Sequence, residues 1–266
     1  MLASSRSVGV LAIWRYPVKA MLGELLDAVE IGLGGCTGDR RWVVVDADTG
    51  ERIASKRGPT DPRLRACRAE LLPDGEDELP LRVTLPDGET LEGREIEDAL
   101  SQLLERRIRL VAAGPHHDAA PVHLITTSTL ARLRSLAPTS VWDVRRFRPN
   151  LVLDDGHDGG FAEDALLGGR LRGASGIELT VDLPTPRCVV PTRAHEELPP
   201  DPDVLRTIVK HHRLDLGPFG RQGCAGAYAW VARPGRVEVG ERLEVEGREA
   251  PLAEVIRAAV ESISAR

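Results

Sequence analysis

The segment IELTVDLPTPRCVVPT occupies residues 177–192 and joins two different patterns. Its first seven residues alternate apolar and polar side chains, which predicts a half-buried β-strand over 177–183. The next nine residues include three prolines, each of which fixes its own φ angle and restricts the residue before it. The sequence therefore predicts a stiff loop that follows a strand and presents one thiol, that of Cys188.

Cys188 follows Arg187 directly, and a nearby cation favours the thiolate, the form of cysteine that attacks electrophiles and binds metals. A lone cysteine is more often a small buried hydrophobe, and the Val189-Val190 pair after it is compatible with that interpretation. We favour a reactive thiol because an arginine and three prolines surround it.

The composition is that of an ordinary globular chain. Of 266 residues, 42% are hydrophobic and 29% are charged, which allows one large domain or two small ones. The formal net charge of −6 argues against nucleic acid as a partner. The four cysteines are far apart and match neither a disulfide framework nor a zinc or iron–sulfur pattern, so we expect a reducing, cytoplasmic location. The apolar run 8–14 is too short to span a bilayer, and we expect no signal peptide and no membrane partner.

Many short strands at close spacing are predicted, which is typical of a small barrel or sandwich. The predicted strands are 7–14, 25–31, 42–46, 63–72, 81–85, 108–112, 121–126, 151–153, 177–183, 223–231 and 237–245. Apolar residues at helical spacing predict helices over 96–106, from a cap at Thr127 or Ser128 to Leu136, from 202 to 211, and over 252–263. The fold class is mainly β with peripheral helices (α+β). The best boundary lies at 113–120, which predicts domains of residues 1–117 and 118–266.

Three basic segments in turn-like sequence are candidates for an anion pocket around Cys188. They contain Lys19, Arg57 and Arg148. Arginine binds phosphate with a planar fork, whereas lysine supplies a point charge. We interpret Arg145 and Arg146 as solvated surface arginines, and the pair His211-His212 as cations favoured at the end of a helix.

Seven short motifs follow one another in an order that resembles a known family over nearly the whole chain. They are WRYPVK (14–19), GDRRW (38–42), the basic loop at Arg57, FRPN (147–150), FAED (161–164), RC (187–188) and VARPG (231–235). On these motifs the chain resembles MOSC-domain proteins, the molybdenum cofactor sulfurase C-terminal family. Within it, the chain is similar to the two-part group that includes the mitochondrial amidoxime-reducing component and its bacterial relatives.

The resemblance implies an N-terminal β-barrel-like domain followed by a MOSC β-barrel domain, with the molybdenum–molybdopterin cofactor (Moco) between them. It implies that Cys188 is the catalytic residue and ligates the molybdenum. The implied cofactor-binding residues are Lys19, Arg57, Thr126, Thr127, Arg148, Asn150, Arg187 and Cys188. The resemblance is also compatible with pyridoxal phosphate binding. The family's serine after the motif lysine is Ala20 here, so one hydrogen bond to the cofactor is expected to be absent.

The resemblance implies reduction of a small N-hydroxylated or N-oxide substrate. The chain carries no C-terminal ferredoxin cysteines like those of some bacterial relatives, so we expect electrons from a separate ferredoxin-like or cytochrome b5-like protein. The alternative is a sulfur or cofactor carrier, in which Cys188 holds a persulfide without redox turnover. A third reading is a non-catalytic binder of a phosphorylated small molecule. The residues alone leave these three classes open.

Overall fold

The computed structural model describes residues 6–53, 61–72, 79–112, 119–157, 159–248 and 250–264. The chain divides into two compact units. One comprises Met1–Ile13, Leu26–Thr37 and Ala119–Arg266, and the other comprises Trp14–Leu25 and Gly38–Asp118. Two N-terminal segments therefore group with the C-terminal part of the chain. The division into domains 1–117 and 118–266 stays a prediction.

The described residues form mainly short strands. These are β1 (Ser7–Arg15), β2 (Glu24–Leu26), β3 (Ala28–Gly32), β4 (Gly35–Cys36), β5 (Trp42–Asp46), β6 (Arg68–Leu71), β7 (Leu81–Thr84), β8 (Thr90–Glu92), β9 (Ile108–Ala112), β10 (Val122–Thr126), β11 (Leu151–Asp154), β12 (Gly169–Arg172), β13 (Glu178–Pro186), β14 (Arg213–Asp215), β15 (Arg221–Arg233), β16 (Gly235–Glu238) and β17 (Arg242–Glu246). The helices are α1 (Pro62–Ala66), α2 (Glu95–Leu104), α3 (Thr127–Leu136), α4 (Asp203–His211) and α5 (Leu252–Ser264). Single 3-10 turns lie at Val144–Phe147, Ala162–Ala165, Val190–Thr192 and Gly217–Phe219. The predicted fold class, mainly β with peripheral helices, is confirmed.

The larger unit is built on a closed barrel. Its strands follow the order β10, β11, β1, β17, β12, β13 and β15, and a ladder between β10 and β15 closes the circle. The β10–β11 pair is parallel, whereas the pairs made by β13 with β12 and β15 are antiparallel. Alternating residues face inward, so that Val8, Val10, Leu179 and Val181 belong to one buried core with Leu243. Burial of each such side chain contributes about 1.5–3 kcal/mol.

The pairing of β13 with β15 determines the position of the loop that carries Cys188, which we call the thiol loop. It runs from Glu178 opposite Arg233 to Pro186 opposite Cys224, with three shifts of register on the way. The predicted strand ends at residue 183, but β13 continues through Pro184 to Pro186, so the loop that carries Cys188 starts at Arg187, where a strand of the barrel ends.

The smaller unit consists of the β5–β9 ladder and a β6–β7–β8 sheet that share a core with α1 and α2. The prediction of one strand over 63–72 is wrong in its first half. Asp61 accepts a hydrogen bond from the Arg63 backbone N at 2.8 Å and a proline follows it, so α1 forms before β6 begins. An Asp cap followed by proline is a strong helix start, and it outweighed the weak alternation of these residues.

The helices surround the strands and are short. Over the ranges that the structure describes, none is both long enough and apolar enough to cross a membrane.

Candidate functional site

Cys188 is exposed, whereas Cys36, Cys67 and Cys224 are buried. The interpretation of Cys188 as a buried hydrophobe is therefore wrong. The backbone on either side of the thiol is fixed, since the Arg187 N donates to the Gly223 oxygen at 2.8 Å and the Val190 N approaches Cys188 Sγ at 3.5 Å. The loop presents its thiol to solvent at the end of β13.

We expect thiol labelling of the native protein to be dominated by Cys188. Burial raises the pKa of Cys67 and of Cys224 to about 12, so both remain protonated and covered at pH 8. Reaction with Ellman's reagent should show one fast thiol out of four, and Cys188→Ser should remove it. A fast thiol that persists in Cys188→Ser protein would contradict the assignment.

The Arg187 side chain turns inward and anchors the loop. Its Nε donates to the Ala225 oxygen at 2.7 Å, its Nη1 to the Phe147 oxygen at 3.1 Å, and its Nη2 lies 2.7 Å from His123 Nε2. The guanidinium also lies over the Phe147 ring, 5.1 Å from its centroid. Burial lowers the pKa of Arg187, but a guanidinium stays charged at neutral pH. The structure gives Arg187 a positioning role, and its contact with a cofactor stays a prediction.

His123 completes this anchor. Because a guanidinium only donates, His123 Nε2 must accept, and we assign the ring proton to Nδ1, which donates to the Arg148 oxygen at 3.2 Å. Gly226 allows the close approach: its φ is +84°, and a Cβ there would lie 2.7 Å from His123 Nε2. His123 was missed from the sequence because it lies in none of the motifs and appears as an ordinary strand residue.

Arg146 holds the segment that follows the thiol. It is 2% exposed, so the expectation of a solvated arginine is wrong. Its Nη1 donates to the oxygens of Pro191 and Arg193 at 3.2 and 3.1 Å, its Nη2 to Pro199 at 2.8 Å, and its Nε to Val141 at 2.9 Å. Burial lowers the pKa of Arg146. The arginine fork meets carbonyls that an irregular loop leaves without strand partners, which is why this side chain is inside.

Arg145 is also bound rather than solvated. Its Nε and Nη2 contact the Asp143 carboxylate at 2.9 and 2.8 Å, and it pairs with Glu196 and Glu197. These hydrogen bonds raise the pKa of Arg145. Arg145 therefore links the 144–147 turn to residues 196 and 197 near the surface. Arg146 links the same turn to residues 191–199 in the interior.

The turn between Arg193 and Pro199 contains a neutral histidine. His195 and Leu198 exchange backbone hydrogen bonds of 3.0 and 2.9 Å. Burial, and then the nearby charges of Arg148 and Arg145, lower the pKa of His195 to about 3. The imidazole is therefore uncharged at neutral pH.

The FRPN motif is organised by its backbone. Arg148 has a left-handed φ of +53° and ends the 144–147 turn, and its guanidinium is near enough to His195 to lower that pKa. Asn150 is 1% exposed; its Oδ1 accepts from the His123 N at 3.1 Å and its N donates to the His123 oxygen at 2.6 Å. The Arg148 guanidinium thus lies near His195, on the segment that follows Cys188 in the chain. Asn150 joins β10 to β11. Their contacts with a cofactor stay predictions.

The predicted pair Thr126 and Thr127 lies where β10 meets α3. The helix cap is Thr126, one residue before the predicted position, and its Oγ1 accepts from the Thr129 N at 3.2 Å. The N and Oγ1 of Thr126 donate to buried Glu163 at 2.6 and 3.1 Å, and burial raises the pKa of that carboxyl. Thr127 Oγ1 lies 3.3 Å from Asp154. Thr126 thus has a capping role, and the cofactor contacts of both threonines stay predictions.

The FAED motif meets His212 from two sides. Phe161 stacks on the His212 ring with centroids 3.7 Å apart, and Asp164 Oδ2 lies 3.0 Å from His212 Nε2. His212 Nδ1 is 2.7 Å from the Cys224 oxygen. Both ring nitrogens therefore face acceptors, which favours the imidazolium. The prediction that His212 is simply a cation favoured at the end of a helix is incomplete, because Asp164 and the Cys224 oxygen bind its two ring nitrogens.

The His212 contacts predict a pH dependence of stability. Burial alone would lower the pKa of His212, but the Asp164 carboxylate and the Cys224 carbonyl outweigh it and raise the pKa above 6.5. A raised pKa means that the protonated ring stabilises the fold below the unfolded pKa, and that this contribution is lost as the pH rises through the folded pKa. The difference in unfolding free energy between wild type and His212→Gln should therefore be larger at pH 5.5 than at pH 9.

Urea unfolding at the two pH values measures this difference, and histidines common to both proteins cancel in it. In an Asp164→Asn background, replacing His212 should have a much weaker pH dependence. An equal difference at both pH values in the Asp164 background would contradict the imidazolium assignment.

In the smaller unit, the first two motifs interlock. The buried Asp39 carboxylate accepts from the Tyr16 N at 2.8 Å and binds Arg40, whose guanidinium lies 5.0 Å from the Tyr16 ring centroid. The Lys19 N donates to the Trp42 oxygen at 2.9 Å. Ala20 has a φ of +75°, so the position after the lysine is a left-handed turn. WRYPVK and GDRRW together thus place the half-buried Lys19.

The predicted site residues divide by unit. Within the larger unit, Arg148 and Asn150 are joined to Arg187 through His123. Lys19 belongs to the smaller unit, and Arg57 lies outside the described residues. The convergence of Lys19, Arg57 and Arg148 on Cys188 stays a prediction.

The donor chemistry of Cys188 fits molybdenum carried on a pterin. A thiolate is a soft ligand suited to a redox metal, and an exposed thiol on an anchored loop is open to a large cofactor. No group of three His, Cys, Asp or Glu side chains arranged to hold a metal ion occurs in the described part of the chain. Cys188 would thus act as a single donor to a metal that brings its own pterin sulfurs.

Comparisons with known proteins agree with this fold. Residues 7–114 match the MOSC N-terminal beta barrel domain and residues 113–244 match the MOSC domain. The crystal structure of the YuaD protein from Bacillus subtilis is similar with a TM-score of 0.52 at 14% identity, over 91% of this chain and 97% of that chain. YiiM from Geobacillus stearothermophilus gives a TM-score of 0.38 at 16% identity, over 57% and 73% of the two chains.

A comparison with curated proteins found no match. At 14% identity, the likeness to the Bacillus subtilis protein concerns the fold alone. The two domain matches adjoin and together extend from residue 7 to residue 244. The chain belongs to the MOSC-domain family and carries that family's N-terminal β-barrel domain.

Proposed function

We propose that this protein binds Moco through Cys188 and reduces small N-hydroxylated or N-oxide substrates with electrons from a separate redox protein. The observation that carries the proposal is the exposed Cys188 thiol on a loop held by the guanidinium groups of Arg146 and Arg187. MOSC domains are generally associated with Moco, so family membership supports the cofactor. The substrate class and the electron donor extend beyond the family assignment.

The residues that would hold the cofactor have distinct tasks. Cys188 would ligate the metal as a thiolate, so binding releases its proton. Arg148, Lys19 and Arg57 would neutralise the pterin phosphate, and the resemblance adds Thr126, Thr127, Asn150 and Arg187 as further contacts. Because Arg146 and Arg187 immobilise both sides of the loop, the thiol is held in place before the cofactor arrives.

When bound, the cofactor supplies two-electron oxygen-atom chemistry. The overall reaction breaks the substrate N–O bond; an N-hydroxylated substrate gains an N–H bond, whereas an N-oxide gives the free amine. The oxygen leaves as water after uptake of two electrons and two protons, and the redox partner supplies the electrons one at a time. The chain supplies an exposed thiol on an anchored loop. Beside Arg148, the neutral His195 offers a hydrogen-bonding imidazole without adding a second cation.

Metal and cofactor analysis tests the proposal. Protein from a Moco-competent host should contain about one molybdenum and one pterin per chain, and it should reduce a model amidoxime with reduced methyl viologen as donor. Protein that acquires neither metal nor pterin under any loading condition would overturn the proposal.

A sulfur carrier is the second candidate, favoured by the approach of the Val190 N–H to the exposed Cys188 Sγ. In a persulfide, Sγ would be the inner sulfur, and this backbone donor would orient the group that carries the outer sulfur. Sulfane sulfur released by cyanide from wild type but not from Cys188→Ser, without molybdenum, would select the carrier.

A further inference from the structure

We propose that the surface beside Cys188 is a docking site for an acidic redox protein. We call it the Cys188 face, and define it as α4, β14 and residues 189–192 and 217–221. The inference rests on the proposed function, because it assigns a partner to the same thiol site.

The Cys188 face exposes large apolar side chains. Val189, Val190, Val209 and Phe219 are 48%, 45%, 38% and 54% exposed. Single exposed apolar residues are ordinary, but several on neighbouring elements mark a contact surface. Two of the four follow Cys188 directly in the chain.

These elements adjoin one another in space. Helix α4 packs against the Val190–Thr192 turn and against β15. A Cβ placed on Gly223 would lie 2.8 Å from the Val209 side chain, and the Gly223 oxygen is the acceptor of the Arg187 N. Arg213 in β14 pairs with the same glycine. Val209 and Arg213 therefore lie beside Gly223, whose oxygen holds the backbone of the loop that carries the thiol.

The Cys188 face is basic on an acidic chain. Residues 203–224 contain Arg206, Lys210, Arg213 and Arg221 against two carboxylates, Asp203 and Asp215, whereas the whole chain has a net charge of −6. Arg206 pairs with Asp203 within α4, so these two charges offset each other. Lys210, Arg213 and Arg221 are exposed, and none of them forms an ion pair with a carboxylate of the described residues.

An acidic redox protein complements this arrangement. Opposite charges raise the rate of encounter and orient the partner, while a small apolar centre suits a complex that must separate after each transfer. In each encounter the reduced partner loses one electron. Two encounters and two protons from water therefore break one substrate N–O bond and release one water molecule, leaving N–H from an N-hydroxylated substrate or the free amine from an N-oxide.

The test compares charge reversal on and off the Cys188 face. The face variant is Lys210→Glu/Arg213→Glu/Arg221→Glu. The control, with the same change in charge, is Arg109→Glu/Arg132→Glu/Arg257→Glu on β9, α3 and α5, where all three arginines are exposed. The probes are an acidic plant-type [2Fe–2S] ferredoxin and the soluble domain of cytochrome b5, with reduced methyl viologen as a small donor.

At low salt, the face variant should raise the KM for ferredoxin or cytochrome b5 at least about tenfold relative to the control, and 0.5 M salt should shrink the difference. Methyl viologen-driven activity should be equal in both variants. An unchanged KM for both protein donors, or an equal loss with methyl viologen, would overturn the docking site.

A direct binding measurement separates this inference from the proposed function. Calorimetry should show salt-sensitive binding of at least one protein probe to wild type and to the control, and much weaker binding to the face variant, whether or not the protein turns over substrate. Absence of binding to wild type would overturn the docking site. Absence of methyl viologen activity in cofactor-loaded wild type would instead defeat the reductase.

Discussion

Cys188→Ala protein should lose more than about 100-fold of its amidoxime reductase activity with methyl viologen and keep its fold. Replacing a residue that only hydrogen-bonds to a metal ligand already lowers metal affinity or activity about 10–100-fold. Removal of the ligand itself should therefore lower the activity more. Cys188 is exposed, and substitutions at exposed positions change stability by about 0.5 kcal/mol or less. Steady-state rates and urea unfolding measure the two effects.

Ala194→Ser is the matched control, since this residue is exposed on the same loop. It should change neither rate nor stability. The pterin content of Cys188→Ala protein should largely persist, because phosphate contacts by Lys19, Arg57 and Arg148 would contribute about 1.5–3 kcal/mol each. Full reductase activity in Cys188→Ala protein would refute the ligand role.

Arg146→Ala should lower the free energy of unfolding by about 3–5 kcal/mol, the largest stability effect expected for a single residue of the loop. Arg146 is buried, and its removal leaves the carbonyls of Val141, Pro191, Arg193 and Pro199 without this donor. Breaking a buried charged interaction typically costs this much, because the remaining polar groups stay desolvated. Urea unfolding at constant pH measures the loss.

Arg145→Ala is the matched control from the neighbouring position. Arg145 lies nearer the surface with carboxylate partners, so its loss should cost about 1 kcal/mol. Arg146→Lys keeps the charge but loses the planar guanidinium fork, so its loss of unfolding free energy should lie between those of the two alanine variants. This variant provides the measurement if Arg146→Ala protein does not fold. Equal destabilisation by Arg145→Ala and Arg146→Ala would contradict the anchoring role.

The strands could be predicted because their signals are local. Alternation over 177–183 depends on the period of the strand itself, and the prolines after it restrict their own φ angles, so the stretch predicts a strand and a stiff loop. The prediction failed at 63–72, where the capping of Arg63 by Asp61 started a helix. The weak alternation of apolar and polar residues there did not outweigh the hydrogen bond from the Arg63 N to Asp61 that caps the helix. The prediction also treated 25–31 and 237–245 as single strands, which the structure divides into β2 and β3 and into β16 and β17.

The candidate nucleophile was also visible in the chain, because proline spacing and a flanking arginine single out Cys188 among four cysteines. The tasks of the charged residues around it were not. Arg187 points inward to His123 and Ala225, and Arg146, predicted to be solvated, is buried. Whether an arginine is solvated depends on which carbonyls lie near it in space, and those belong to residues 45 to 53 positions away.

By itself, the sequence determined the mainly β fold class, the strand that leads to Cys188 and the motifs of the MOSC family, since each rests on neighbours in the chain. Only the tertiary structure decided that Arg146 and Arg187 anchor the thiol loop, that His123 must accept from Arg187, and that Asp164 binds His212. These contacts join strands and turns that meet only when the barrel closes. The physical reason is that burial and hydrogen-bond geometry are properties of the assembled fold and not of residue spacing.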